Sequence, residues 1–355
     1  MTEFEIIYRY FKAQDTEGAS IEHTAIIKDL GDDAAVVAIN APSQWVTCVD
    51  TLVQGRHFSE DWQQVSELAF AIGYKAVAVN ISDIAAMGAR PHSILLALAL
   101  PERLANEPWL AEFAKGLFHA CKQFGVRLIG GDTTRNDKLV ISITANGILP
   151  VAIQPVYRSG AKVGDKVYVS GTIGDASYAL NHPETEVGKQ LAHRLHMPTP
   201  RSILGQKLAS TGLATAMMDV SDGLVQDLGH LCQQSQVAMS LQLDQLPTSK
   251  PLQHVELAER LRCQLTGGDD YELVFTLPAS VQLSQDLLSS VSTPVTCIGE
   301  VIELEEEEEE EQSVGTTNFG PSAIKLTYQG TAVTEQAPYP FDGFPNLHGY
   351  QHFSS

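Results

Sequence analysis

The stretch "LIGGDTTR", residues 128–135, decides how the chain is read. Val126, Leu128 and Ile129 form a short apolar lead-in, two glycines follow, and then the residues are polar. The pattern predicts a strand that opens into a glycine loop of the kind that cradles phosphate. A phosphate loop carries a lysine near its end. This one carries Asp132, and a carboxylate repels phosphate.

Working outward, strands and helices alternate. "QWVTCVDTLV" (44–53) reads as a strand, and "QQVSELAFAIGYKAVAVNI" (63–81) has helical apolar spacing with many small residues for close packing. "HSILLALALP" (92–101) reads as a buried strand ended by Pro101. "EPWLAEFAKGLFHACKQFG" (107–125) reads as a helix with Gly125 as its C-terminal cap, and residues 138–150 as another strand. "RSGAKVGDKVYVSG" (158–171) looks like a joint, so the boundary is expected near 155–160. The domains expected are 1–155 and 156–355. Beyond the joint, helices are expected near 202–211 and from Asp222 to about Gln234, with strands near 215–220, 237–243 and 271–277. The order predicts a mixed α/β (α+β) chain rather than an all-parallel one.

The 355 residues are 44% hydrophobic, ample for two cores. The formal charge of −20 makes nucleic acid and anionic membranes poor partners, because no basic stripe offsets their phosphates. An anionic substrate then needs cations as mediators. Residues 305–311 are seven consecutive glutamates, and setting them aside still leaves −13. Such a block reads as a solvated, disordered insertion, near 303–318, without a catalytic role. Five scattered cysteines without a CxxC pair point to a reducing compartment. The N-terminus is charged and amphipathic, and no apolar run reaches ~18 residues, so a cytoplasmic protein is expected.

The aspartates carry the chemistry. "LGDDAAVV" (Asp32, Asp33), "CVDTL" (Asp50), "NISDIAAMGA" (Asp83), "GGDTT" (Asp132) and "MMDVSDGL" (Asp219, Asp222) each set Asp beside Gly or at the end of an apolar element. Two carboxylates ~4 Å apart repel by about 4 kcal/mol at an effective dielectric near 20, so their convergence needs a cation. An all-oxygen donor set suits Mg²⁺, which binds through one or two carboxylates plus substrate phosphates. Ser221 and Asp222 are placed to cap the helix that follows. Any one Gly-Asp pair is ordinary turn chemistry, and Ser221 or Asp222 alone is an ordinary cap. Five together read as an Mg²⁺-dependent, phosphate-handling enzyme.

The phrases "GDDAAVV", "VDTLVQGRHF", "AVNISDIAAMGARP", "LIGGDTT", "RSGAKVGDKVYVSGTIGDA", "DVSDGL" and "GGDDYEL", in that order, resemble the thiamine-monophosphate kinase family from about residue 4 to Phe353. "SDIAAMGA" and "DVSDGL" are shared with the aminoimidazole ribotide synthetase superfamily, while "GGDDYEL" and the terminal "GYQHF" point to the kinases. The resemblance implies a two-domain aminoimidazole ribotide synthetase-like fold whose N-terminal strands form a dimer-spanning β-barrel. It implies direct in-line transfer from ATP, with several Mg²⁺ ions, to thiamine monophosphate. By the same resemblance Asp33, Asp50, Asp83, Asp132, Asp219 and Asp222 hold metal, with Val49 offering a main-chain carbonyl. Gly131, Asp132, Arg158 and Ser221 meet ATP, and His57, Glu272 and Tyr350 meet the substrate, with Asp50, Asp132 and Asp222 as the catalytic set.

Two positions depart from the family pattern. Cys48 stands where a hydroxyl ligand is usual, and a thiol is a poor Mg²⁺ ligand. Before Tyr271 the chain has Asp269–Asp270 where the family more often has Glu-Asp. Read without the resemblance, His57 is an ordinary histidine, Glu272 a structural ion pair and Tyr350 a tail aromatic. An aromatic face would suit a thiazolium cation. Two other functions stay open: an aminoimidazole ribotide synthetase or related ATP-dependent synthetase, and a non-catalytic acidic metal buffer.

Overall fold

The computed structural model describes residues 6–12, 24–28, 36–39, 42–59, 66–305, 323–334 and 341. The chain divides into two compact units, Met1–Gln154 with His196–Ser202, and Pro155–Leu195 with Ile203–Ser355.

In the first unit β1 (Thr24–Lys28) and β2 (Val36–Ile39) pair antiparallel. β3 (Ser43–Val53), β4 (Arg90–Leu100), β5 (Arg127–Arg135) and β6 (Val140–Pro150) form a sheet in the order β3-β6-β4-β5, with only β4 and β5 parallel. Helices α1 (Ser66–Ala86) and α2 (Glu107–Phe124) pack on each other. A Cβ at Gly73 would run into the Phe113 carbonyl, and one at Gly116 into the Phe70 carbonyl, so the helices meet backbone to backbone. Nearly every α1 side chain from Ala69 to Ala86 is buried. The stretch Leu68–Ala86, interrupted by Lys75 and Asp83, is by length and composition long and apolar enough to cross a membrane, and it is buried as the core helix of this unit. Asn106 caps α2 by accepting Trp109 N–H at 3.1 Å, and Gly125 ends it at φ 66°.

The opening stretch differs from its reading. "LIGGDTTR" does not leave the sheet: β5 runs through both glycines to Arg135. The register slips by one residue at Ile129 and then continues, Gly131 opposite Leu96 and Asp132 opposite Ala97. A Cβ at Gly131 would overlap the Leu96 carbonyl. The missing side chain lets the two strands close up at this point.

The second unit holds β7 (Lys166–Ser170), α3 (Asp175–Asn181), α4 (Glu186–His196), α5 (Ser202–Thr211), β8 (Ala216–Asp219), α6 (Leu224–Ser235), β9 (Ala238–Gln242), α7 (Leu257–Thr266), β10 (Leu273–Leu277), α8 (Gln285–Val291), β11 (Val295–Ile302), β12 (Ile324–Tyr328) and β13 (Thr331–Ala332). Its strands form one mixed sheet, β13-β12-β9-β11-β7-β10-β8, around a core that includes Val169, Met218, Leu228, Met239 and Val274. Among the described residues the sheets are open and form no closed barrel. Of the glutamate run only Glu305 is described, paired with Lys325 at 2.6 Å, and the rest lies outside the described residues.

Candidate active site

Strand periodicity sorts the first unit's candidates by face. On β3 the side chains of Trp45, Thr47, Val49 and Thr51 are exposed, and those of Cys48, Asp50 and Leu52 turn inward. Asn80, buried on α1, meets this inner row, since its Oδ1 accepts the Asp50 N–H at 3.0 Å. The Cys48 thiol donates to the Asn80 carbonyl at 3.4 Å. Burial, and then the charges of Asp83 and Asp50, hold that thiol well above its ordinary value. Asp50 and Asp83 therefore converge on Cys48, which stays a neutral thiol. Asp83 sits inside the last turn of α1, which runs past the helix expected over 63–81. An acid in the last turn opposes the helix dipole, so its own helix gains nothing from it.

Asp132 lies elsewhere. Its row across the sheet is Thr51, Ser142, Ala97 and Asp132, and the Thr51 and Ser142 hydroxyls bond at 2.7 Å. The Asp50 row is Ile143, Leu96 and Gly131, with Ile143 and Leu96 buried. Adjacent rows face opposite sides of a sheet. Asp132 is thus on the exposed face, away from Asp50 and Asp83. Val49 shares that exposed side, 61% accessible. His57 closes the turn after β3, and its Nδ1 accepts the Val53 N–H at 3.0 Å. The neutral ring therefore carries its proton on Nε2.

In the second unit "DVSDG" follows β8 into α6. The expected side-chain cap is absent: the N-cap is Gly223, and neither Ser221 nor Asp222 closes the helix. Instead Asp227, buried in the first turn, reaches back with Oδ2 to accept the N–H groups of Ser221 (2.9 Å), Asp222 (3.2 Å) and Gly223 (3.2 Å). Burial, and then the neighbouring Asp219 and Asp222, hold the Asp227 carboxyl well above the usual range. Arg158, exposed, lies near Asp222 through their shared neighbour His230, whose pKa is lowered by burial and then Arg158, and raised by Asp222. Ser235 fixes that segment, donating to the Arg158 carbonyl at 3.0 Å and accepting Gly160 N–H at 3.1 Å.

"GGDDYEL" lies along the other side of the same loop. Val220 N–H bonds to the Glu272 carbonyl (2.8 Å), Tyr271 N–H to Val220 (2.8 Å) and Asp269 N–H to Ser221 (2.9 Å). Asp269 and Tyr271 adopt φ of 69° and 51°, strained values for non-glycine residues. Glu272 is not open to a ligand. It is fully buried, bonded to Arg194 at 2.7 Å and to the Ser170 hydroxyl at 2.6 Å. Asp175 and Asp270, also buried, complete a cluster around Arg194. Burial, and then the nearby Asp175 and Glu272, keep Asp270 well above the carboxylate range against the pull of Gly174 N–H and Arg194. Sequence reasoning missed Asp227 and Arg194. Asp227 was detectable only as an acid in the first helical turn, and nothing near Arg194 in the sequence marked it.

Asp33 and Tyr350 lie outside the described residues. Among the described residues no three His, Cys, Asp or Glu side chains form a ready-made metal cage. The carboxylates that share a neighbour are oxygen donors, Asp50 and Asp83 about Cys48 and Asp219 and Asp222 about Asp227. Mg²⁺ takes one or two carboxylates and completes its shell from phosphates and water, so this donor set fits it.

Two family models match, AIR synthase related protein, N-terminal domain, over residues 31–149, and its C-terminal domain over residues 162–310. The chain is thus an AIR synthase-related protein of two domains. It is 38% identical over 313 residues to the thiamine-monophosphate kinase of Haemophilus influenzae, covering 85% of this chain and 90% of that one. The solved thiamine-monophosphate kinase of Stenotrophomonas maltophilia superposes with a TM-score of 0.75 at 37% identity, over 94% of this chain and 98% of that one. A solved complex of AaThiL with AMPPCP and TMP gives 0.68 at 27% identity, over 99% and 97%. The chain belongs to the thiamine-monophosphate kinase family.

Proposed function

We infer that the chain transfers the terminal phosphoryl group of ATP to thiamine monophosphate, giving thiamine diphosphate. The observation that carries this is the 38% identity spread over 90% of a thiamine-monophosphate kinase. It is supported by a related structure solved with AMPPCP and TMP. The acceptor is a phosphate oxygen, ionised at neutral pH, so no strong general base is required. The difficulty is bringing two polyanions together. Mg²⁺, when bound, supplies the charge neutralisation that this needs.

The residue assignments are part of the proposal. Asp50 and Asp83 form one ligand pair, Asp219 and Asp222 another, and Asp33 a further carboxylate. Gly131, Asp132, Arg158 and Ser221 serve ATP. Asp132 does so from the opposite sheet face to Asp50. His57, with its proton on Nε2, is suited to donate to a phosphate. Tyr350 and the segment around Glu272 hold the thiamine part, Glu272 from beneath rather than by contact. Val49 serves as a ligand only through its carbonyl. The 1–155 region is proposed as the ATP- and metal-binding and dimerisation domain. Homodimerisation through the N-terminal strands, with closure into a shared barrel, is supported by the exposed apolar Trp45, Val49 and Leu95 on one sheet face. A cytoplasmic location is supported by five cysteines that are all free.

The test is incubation with ATP, Mg²⁺ and thiamine monophosphate, with thiamine as control acceptor. Diphosphate formed from the monophosphate alone is expected. Turnover of an aminoimidazole ribotide precursor instead would replace the reading with a synthetase.

A further inference from the structure

We propose that Asp227 is the positioning residue of the "DVSDG" loop, and that it sets the loop's affinity for metal-bound nucleotide. The proposal rests on the reading of Asp219 and Asp222 as metal carboxylates and goes beyond it. Three consecutive amides, those of Ser221, Asp222 and Gly223, converge on one oxygen, Asp227 Oδ2, at 2.9–3.2 Å. Consecutive N–H groups point to one spot only when the backbone curls into a concave nest. In a free loop such a nest is itself an anion site. Here the protein's own side chain fills it, with 1% of its surface exposed, so Asp227 cannot be the group that meets a ligand.

The curl has a consequence for the residues that can. With their amides turned inward, Ser221 and Asp222 stay half-exposed. The other side of the loop is held by the Asp269 and Tyr271 amides on the Ser221 and Val220 carbonyls. Gly223 takes φ 122°, and a Cβ there would press on Thr266 backbone at 2.9 Å, so the loop cannot relax toward α7. Asp227 is the one side chain that ties all three amides, and its removal leaves three buried or half-buried donors to find water.

The experiment uses the full chain with Asp227→Asn and Asp227→Ala. Asn keeps an acceptor oxygen at the same place; Ala removes it. Amide hydrogen exchange at Ser221, Asp222 and Gly223 is read without nucleotide or metal, so that it tests the loop independently of catalysis. Binding of AMPPCP is then titrated against Mg²⁺. The expected result is at least tenfold faster exchange at those amides in the Ala variant, with the Mg²⁺ needed for half-maximal AMPPCP binding raised about tenfold, and most of both effects reversed in Asn. Unchanged exchange in Ala, or Asn as impaired as Ala, overturns the positioning role. Faster exchange with an unaltered Mg²⁺ requirement overturns the link to metal while leaving the enzymatic reading intact. If Ala does not fold, Asn alone decides: near-wild-type exchange and Mg²⁺ requirement uphold the proposal, and loss of either overturns it.

Discussion

Replacing Arg194 by Met removes the cation that Glu272, Asp175 and Asp270 surround in a buried acidic cluster. Glu272 is fully buried and Asp175 has 1% exposure. The guanidinium bonds Glu272 at 2.7 Å and lies 3.8 Å from Asp175. Burial disfavours its charge, but Glu272, Asp270 and Asp175 outweigh that and hold Arg194 charged. Removing one partner of a buried pair costs about 3–5 kcal/mol, because the other charge stays behind without compensation. In a unit of 150–250 residues each kcal/mol shifts the melting temperature by about 2–4 °C. The variant is therefore expected to melt about 6–20 °C lower by circular dichroism. Amide exchange should quicken first at Gly174 and Leu273, whose N–H groups bond to Asp270 and Ser170 of this cluster. The double variant Arg194→Met with Glu272→Met should recover part of the loss, since it removes the stranded charge. A single variant that melts within 2 °C of the parent, or a double variant worse than the sum of its parts, would refute the reasoning.

Three further outcomes are expected. Gly116→Ala pushes a methyl into the Phe70 backbone, so urea unfolding should show a loss of about 2–3 kcal/mol, whereas Gly125→Ala, with open space around it, should cost only the ~1 kcal/mol of a left-handed non-glycine residue. Burial, then Arg90 and Arg127, lower the His92 pKa to about 4, so the unfolded chain binds a proton between pH 6.5 and 4 that the folded ring refuses. That contribution to stability is full above 6.5 and is lost as pH falls through the window, by at most roughly 3 kcal/mol, and His92→Gln should flatten the fall; an identical pH profile would exclude it. Asp50→Asn and Asp132→Asn should each lower turnover by orders of magnitude with unchanged melting, and near-parental rates at saturating Mg²⁺ would remove the metal assignment.

The elements that the sequence revealed are those with a local cause. β3 alternates, α2 has its cap and its glycine, and β4 stops at Pro101. What stayed hidden depends on partners distant in the chain. Gly130 and Gly131 read as a loop because glycine breaks isolated strands, yet Gly131 is required by the Leu96 carbonyl opposite it. The helix read over 63–81 runs on through "SDIAA" to Ala86, because the apolar spacing quoted for it stops short of residues that α1 also buries. The face that Asp132 occupies follows from a one-residue slip at Ile129, and a slip of one moves every later side chain to the other side of the sheet.

The same limit explains why aspartates were found easily and sorted poorly. A motif cannot distinguish a carboxylate that serves the backbone from one that serves a ligand. Burial can. Asp175, Asp227 and Asp270 have 1–2% exposure; each accepts protein hydrogen bonds, and such a group has no path by which to trade water for ligand. Asp50, Asp83, Asp222 and Asp132 keep solvent contact, and Asp219 at 4% stands at the margin. The first group holds the scaffold in shape, and the second is the set to which the proposal above assigns cations and ATP. Glu272 belongs with the first group, although the resemblance made it a substrate contact. The substrate role proposed for it then passes through the strained Asp269–Tyr271 segment. A thiamine-binding defect in a Glu272→Gln variant should accordingly come with faster exchange at the Asp269 and Tyr271 amides, and a binding defect without that change would return Glu272 to direct contact.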